Sequence, residues 1–166
     1  MLTKLNEILE KLPSLLDSAV WDSLIVNRRK PHTYRIWTKL GDLRVCLHKF
    51  DVCDTNESFF HPHPWPAAFK ILQGKYYMRI GHSLTQTSEP FEVAPFIMFQ
   101  GSSYAITDPL TWHSVSPIET TFTVMVNDKP FENPHKEVRR TAGKDLEKMT
   151  DEEVKESLEY FRKLLK

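Results

Sequence analysis

The central part of the sequence consists of short runs rich in Val, Ile, Phe, Tyr, Thr and Trp. Gly41, Gly74, Gly81, Gly101 and most of the 11 prolines separate these runs. Short β-type runs bounded by turn residues are typical of an antiparallel barrel or sandwich. The predicted strands are 33–38, 43–50, 60–63, 68–73, 76–81, 97–100, 104–107, 113–116 and 121–127.

Both ends of the sequence have the apolar spacing of an amphipathic helix. At the N-terminal end, the residues that follow this spacing are Leu5, Ile8, Leu9, Leu12, Leu15 and Leu16. Pro13 lies among them and predicts a kink or a split. Near the other end, Thr150 and Glu153 have the spacing of a capping box, which predicts a helix over residues 151–165.

These patterns predict a single domain over residues 1–166, with an all-β core and amphipathic helices at the N- and C-termini. The helices are placed at residues 1–20 and 150–166, and the β-core at residues 33–131. Residues 128–149 are charged and have no clear period, with Arg139 next to Arg140. We expect this segment to be a surface connection that leads into the last helix.

Three histidines of the central region form a candidate metal site. In His61-Pro62-His63 the two imidazoles are one residue apart, and a strand points residues i and i+2 to the same face. Such a pair alone is also compatible with two surface or hydrogen-bonded histidines. His113 follows a turn signal and a β-type run, which would return the chain beside the first pair. Three histidine ligands would leave coordination positions open, as a catalytic metal site requires.

The segments around these histidines resemble the two metal-binding motifs of the cupin superfamily. The resemblance rests on His61-x-His63, on Phe69-Lys70-Ile71-Leu72-Gln73-Gly74, and on Pro109 with His113. It covers residues 34–131. It implies a cupin double-stranded β-helix barrel, or jelly roll, that holds a metal inside its wider end through His61, His63 and His113.

Within cupins, the segment that begins at Phe69 is most similar to that of cysteine dioxygenase and related thiol dioxygenases. These enzymes bind iron through three histidines and lack the carboxylate ligand that many cupins carry. Ala67 stands seven positions before Gly74, where the common cupin pattern has Glu, so a three-histidine site follows unless Glu57 contributes a carboxylate. The resemblance implies Fe(II) as the cofactor, with Zn, Mn and Ni as alternatives.

The resemblance also assigns a role to Arg35, which lies 26 positions before His61. Thiol dioxygenases have an arginine in a comparable place that binds the substrate carboxylate. A guanidinium suits this role because it forms bidentate pairs with carboxylates. The alternative is a solvated strand residue whose stem packs near Trp37.

The sequence departs from the thiol dioxygenases near the end of the β-core. Met125 and Asn127 stand where those enzymes carry a histidine and a tyrosine, so the tyrosine that assists their chemistry is missing. In the second motif, Leu110 and Pro117 replace the usual glycine and asparagine. The departures therefore concern the substrate more than the metal.

Several other residues could belong to the site. His48 lies on a predicted strand that could run beside it, whereas His32, His82 and His135 lack a paired ligand. Tyr76, Tyr77 and Tyr104 could supply a hydroxyl or fill the core. Trp65 and Trp112 neighbour the predicted ligands and could form a wall of the pocket.

Composition limits the partners that we expect. Lys plus Arg equals Asp plus Glu at 22 each, so no net charge attracts nucleic acid or an anionic membrane, and a small-molecule substrate is expected. Cys46 and Cys53 do not have Cys-x-x-Cys spacing and are expected to be reduced thiols. The first residues do not resemble a secretory signal, which predicts a cytoplasmic protein. The cupin resemblance also implies a homodimer.

Three functions are compatible with these features. The first is an iron(II) dioxygenase that acts on a small thiol or carboxylate-bearing metabolite. The second uses the metal as a Lewis acid in an isomerase or epimerase of a small sugar or keto acid. The third is a non-enzymatic module that binds a small ligand. The three-histidine ligand set favours the first.

Overall fold

The computed structural model describes residues 1–137 and 146–166. In this part of the chain, ten strands lie between two α-helices. In chain order the elements are α1 (Leu2–Ser18), β1 (Asp22–Val26), β2 (Thr33–Leu40), β3 (Leu43–Phe50), β4 (His61–Pro62), β5 (Ala67–Gln73), β6 (Lys75–His82), β7 (Phe91–Phe99), β8 (Ser103–Ile106), β9 (Thr111–Pro117), β10 (Thr121–Asn127) and α2 (Asp151–Leu164).

The strands form two antiparallel sheets that pack face to face. The larger sheet has the order β1-β2-β3-β10-β5-β8, and the smaller has the order β4-β9-β6-β7. Side chains of both sheets meet in one apolar cluster, where Ile71 and Tyr104 of the larger sheet contact Tyr76, Met78 and Val115 of the smaller one. This architecture confirms the predicted all-β jelly roll with a helix at each end.

Both helices cover the outer face of the larger sheet. The main core cluster there consists of Leu5, Ile8, Leu12, Leu16, Ile36, Val45, Leu47, Ala68, Phe122, Val124, Val126, Met149 and Phe161. The predicted capping box is present, because the Glu153 N–H donates to Thr150 Oγ1 and the Thr150 N–H donates to Glu153 Oε2. The amphipathic faces predicted from the sequence are thus the faces that pack on the sheet.

Three details differ from the sequence predictions. β1 was not predicted, because its apolar run of three residues shows no alternation. β7 begins at Phe91 rather than at residue 97; it contains Pro95, which an edge strand tolerates because one side of its backbone has no strand partner. α1 continues through Pro13 as one helix and is not split.

The segment 128–149 is only partly a surface connection. His135 and Met149 are 2% and 8% exposed, and the Met149 N–H donates to Ser23 Oγ (3.1 Å). Arg139 and Arg140 lie outside the described residues. In the described ranges, neither helix combines the length and the apolar character needed to span a membrane.

Candidate metal centre

Two neighbouring strands hold His61 and His113 side by side. In the ladder between β4 and β9, His61 is directly opposite His113, and His63 follows immediately after the end of β4. The Nε2 atom of His113 lies 3.1 Å from Nε2 of His61 and 2.9 Å from Nε2 of His63. The three predicted ligands therefore converge through atoms that could hold one metal ion.

The other ring nitrogen of two of these histidines has its own partner. His61 Nδ1 lies 3.4 Å from the carbonyl oxygen of Phe59, and His113 Nδ1 lies 3.4 Å from the Tyr104 hydroxyl. A carbonyl can only accept, so the proton of His61 is on Nδ1 and its Nε2 presents a lone pair. Metal-binding histidines commonly have this arrangement, in which the outer nitrogen donates to an oxygen. The residues present therefore fit a divalent metal.

Burial keeps these imidazoles uncharged at neutral pH. Burial lowers the pKa of His61 to about 4, and the charge of Arg35 adds to this effect. Burial also lowers the pKa of His63 and of His113 well below the usual range, and the neighbouring histidines add to it. Neutral imidazole is the form that binds metals, so the site is competent at pH 7 without further deprotonation.

Aromatic rings enclose one side of the three histidines. The Phe69 ring packs against the rings of His63 (5.5 Å between centroids) and His113 (5.6 Å), and Tyr104 stacks on Phe69 at 4.6 Å. The Tyr76 hydroxyl donates to the Tyr104 hydroxyl (3.0 Å). Of the three tyrosines considered from the sequence, Tyr104 thus lies directly behind a predicted ligand.

Arg35 lies beside the histidines on the inner face of β2. Its Nε donates to His48 Nε2 at 2.8 Å, and its charge contributes to the lowered pKa values of His61 and His63. Arg35 is half-buried, so it is not a fully solvated strand residue, and burial lowers the pKa of its guanidinium. The predicted contact with a substrate carboxylate stays a prediction.

Three of the four remaining histidines, and Glu57, have other partners. His48, the histidine expected near the site, is bonded to Arg35 and lies 3.3 Å from Thr123 Oγ1 through Nδ1. His82 is paired with Asp108, and His135 with the carbonyl of Ser88. Glu57 is half-exposed and bonded to Lys30 at 2.6 Å. Among the described residues, the group able to hold a metal contains three histidines and no carboxylate.

The two tryptophans have different surroundings. Trp112 points to the opposite face of β9 from its neighbour His113 and packs edge-on against His135 (4.7 Å), so it does not form a wall of the pocket. Trp65 packs on the inner cluster that contains Phe69 and Met125.

Met125 and Asn127, which stand where the thiol dioxygenases carry a histidine and a tyrosine, make structural contacts inside the protein. Met125 is 3% exposed and pairs with Phe69 across the β10–β5 ladder. The Asn127 amide, in the orientation that satisfies both neighbours, accepts from Trp65 Nε1 and donates to the Arg44 carbonyl, each at 2.9 Å. Neither residue supplies the acidic hydroxyl that a tyrosine would.

Comparison with known proteins gives a likeness of fold. No protein-family model matches the sequence, and no curated protein matches it. A solved structure of Fe(II)-HppE with the alternative substrate (S)-1-HPP is similar over 67% of this chain and 60% of that chain, with 13% identity and a TM-score of 0.51. The hydroxypropylphosphonic acid epoxidase from S. wedmorenis matches over 63% of this chain and 55% of its own, with 13% identity and a TM-score of 0.48.

A conserved protein of unknown function from Streptococcus pyogenes has 15% identity and a TM-score of 0.44, over 61% of this chain and 78% of its own. The matched part of this chain covers 55% and 60% of the length of the two epoxidase structures. At such identities the likeness to Fe(II)-HppE concerns the fold alone. The chain has a cupin-type fold, and its site suggests a divalent metal. The resemblance to thiol dioxygenases stays a prediction.

Proposed function

We propose that this chain is a metal-dependent enzyme of cupin type, an iron(II) dioxygenase that acts on a small thiol or carboxylate-bearing metabolite. The observation that carries the proposal is the convergence of the Nε2 atoms of buried His113 and half-buried His61 and His63, with separations of 2.9 and 3.1 Å from His113 to the other two. The likeness of fold to Fe(II)-HppE is consistent with it.

A metal explains this convergence better than hydrogen bonds between the histidines. The His61 proton is on Nδ1, and the same tautomer of His113 would let its Nδ1 donate to Tyr104. Two or three imidazole lone pairs would then face one another inside the protein, an arrangement that is unfavourable unless a cation lies between them.

The ligand set determines which chemistry the site favours. Three neutral imidazoles with no carboxylate would keep the full charge of a divalent metal and would leave coordination positions open for further ligands. Bound Fe(II) would supply redox chemistry toward dioxygen, and Zn, Mn and Ni are the alternative metals. A thiol can take up both atoms of O₂ to become a sulfinic acid, so this reaction needs no external reductant.

The residues of the chain itself would orient the substrate and exclude water. The positive charge of Arg35 lies on the side of His61 and His63, where it could bind a carboxylate. Phe69 covers His63 and His113 with an apolar ring. A small acidic thiol would thus have its anionic end at Arg35 and its sulfur toward the histidines.

Oxygen uptake by the Fe(II)-loaded protein tests this function. We expect O₂ consumption that depends on an added thiol carboxylate, with one O₂ used for each sulfinic acid formed, and no uptake by His113→Ala. Product formation without O₂ uptake, supported equally by Zn, would contradict the dioxygenase and favour the isomerase or epimerase. Binding of a ligand with no reaction under any metal would favour a binding module.

A further inference from the structure

Arg35 and His48 form a pair on the inner face of the larger sheet. They are direct neighbours across the β2–β3 ladder, and His48 is the direct neighbour of Thr123 across the β3–β10 ladder. Arg35 Nε donates to His48 Nε2 at 2.8 Å, and His48 Nδ1 lies 3.3 Å from Thr123 Oγ1. His48 is 2% exposed and lies inside the fold, whereas Arg35 is half-buried.

The protonation state of His48 follows from the chemistry of its partner. A guanidinium can only donate, so His48 Nε2 must accept, and the single ring proton is on Nδ1, facing Thr123. Burial and the charge of Arg35 lower the pKa of His48, which agrees with a neutral ring. Because its Nε2 lone pair is already used, His48 is not free to act as a fourth metal ligand.

The pair leaves most of the guanidinium free. Among the described residues, Arg35 is hydrogen-bonded through Nε alone. Its two Nη atoms do not belong to the buried polar atoms that lack a hydrogen-bond partner. The neighbours of the pair on β2, β3 and β10 include no acidic side chain; on this face they are Thr33, Trp37, Arg44, Cys46, Phe50 and Met125. Asp22, on β1, is bonded to Lys148 instead.

We infer that His48 is a positioning residue, which holds Arg35 for an anionic group of the substrate without cancelling its charge. A carboxylate at this position would also orient the guanidinium, but it would form an ion pair and occupy the donors that the substrate needs. A neutral acceptor fixes Nε and leaves the positive charge and both Nη groups for a carboxylate. This inference rests on the proposed function, which supplies the metal site beside Arg35.

The test separates orientation from charge, with His48→Leu as the variant that removes the acceptor of Arg35 Nε and adds no charge. His48→Gln keeps a neutral amide oxygen that can accept from Arg35 Nε, whereas His48→Glu places a carboxylate there. Arg35→Met removes the guanidinium with little change in bulk. The probes are two thiols of similar size, mercaptoacetate with a carboxylate and 2-mercaptoethanol without one. Each is titrated calorimetrically into the anaerobic, Fe(II)-loaded full chain.

We expect the wild-type protein and His48→Gln to bind mercaptoacetate at least about tenfold more tightly than 2-mercaptoethanol, as a charge-assisted contact allows. His48→Leu, His48→Glu and Arg35→Met should lose this preference and keep their affinity for 2-mercaptoethanol. A wild-type preference retained in His48→Leu or in His48→Glu would overturn the role of His48, and a wild-type protein without preference would overturn the anion site.

Failure of the proposed function gives a different result. In that case the wild-type protein would not retain Fe(II), and 2-mercaptoethanol would not bind to any variant. Thermal unfolding of each variant shows whether it is folded. If His48→Glu does not fold, the comparison of His48→Gln with His48→Leu carries the test, because His48→Leu must lose the carboxylate preference if His48 positions Arg35.

Discussion

His61 and His113 are direct partners across the β4–β9 ladder, and their Nε2 atoms lie 3.1 Å apart. They are separated by 52 positions in the sequence, so the antiparallel pairing of a two-residue strand with β9 is what creates the site. Because backbone hydrogen bonds fix this pairing, the positions of the two imidazoles depend on the sheet and not on a mobile loop.

The Tyr104 hydroxyl should strengthen metal binding through His113. It lies 3.4 Å from His113 Nδ1, and its removal would leave that buried N–H without an acceptor. We expect Tyr104→Phe to reduce metal affinity by about 10- to 100-fold, the usual effect of removing such a partner. Competition with a chelator of known affinity measures this change.

Tyr77→Phe is the matched control for Tyr104→Phe. Tyr77 lies on β6 next to Tyr76 and points to the opposite face of that strand, away from Tyr104. The metal affinity of the Tyr77→Phe variant should equal that of the wild-type protein. Equal affinity in Tyr104→Phe as well would show that the contact with His113 does not support the metal.

The stability of the metal-free protein should fall as the pH decreases below 6.5. The pKa of His48 is lowered in the fold, mainly by burial, so the unfolded chain takes up a proton that the folded chain does not. Unfolding is therefore favoured at low pH. For His48 alone, the loss between pH 7 and pH 5 is about 2 kcal/mol if the ring stays neutral in the fold.

Urea unfolding of the metal-free protein at several pH values measures this loss. His48→Gln removes one titrating group, so the free energy of unfolding should fall by about 2 kcal/mol less in this variant than in the wild-type protein. The other buried histidines retain their contribution in both. A loss in His48→Gln as large as in the wild-type protein, or larger, would contradict a neutral, buried His48.

Gly74, in the segment that resembles the cupin motif, is required by its surroundings. Its φ angle is +88°, and a Cβ atom there would lie 2.7 Å from the Thr120 carbonyl oxygen. Gly41 has a φ angle of +61° with no atom within 4 Å of such a Cβ. Gly41→Ala should cost about 1–2 kcal/mol, the cost of a left-handed residue, and Gly74→Ala should cost clearly more.

Urea unfolding of the two glycine variants makes this comparison directly. Both substitutions add the same methyl group in the left-handed region, so the difference between them reports the contact with the backbone of Thr120. A Gly74→Ala variant as stable as Gly41→Ala would show that the turn between β5 and β6 relaxes easily.

Local sequence patterns predicted the helices and most strands well. The stripe from Leu5 to Leu16 and the Thr150–Glu153 capping box correspond to helices in the structure. β1 and the first half of β7 were missed because both are edge strands, whose pairing depends on one neighbour rather than on a strong local pattern. Pro95 interrupts the pattern of β7, although an edge position accepts it.

The candidate site was predicted only in part, because local patterns do not show which strands pair. The spacing of His61 and His63 is a local signal, and the turn signal and β-type run around His113 predicted the third ligand, which the cupin resemblance also implied. The contacts of Tyr104 with His113 and of Arg35 with His48 depend on which strands become neighbours and in which register. Arg35 and His48 are partners in the β2–β3 ladder, whereas Tyr104 and His113 belong to different sheets and meet across the core. A shift of one residue in the β2–β3 ladder or in the β5–β8 ladder would turn Arg35 or Tyr104 to the other face, and sequence alternation alone does not determine register.

The measurement that tests the central claim most directly is the metal content of the protein purified without oxygen and reconstituted with Fe(II). We expect about one metal ion per chain in the wild-type protein and in His82→Ala, whose histidine is paired with Asp108 instead. His61→Ala and His113→Ala should be folded and retain almost none. Full metal content in His113→Ala, or no metal in the wild-type protein with Fe, Zn, Mn or Ni, would contradict the three-histidine metal site.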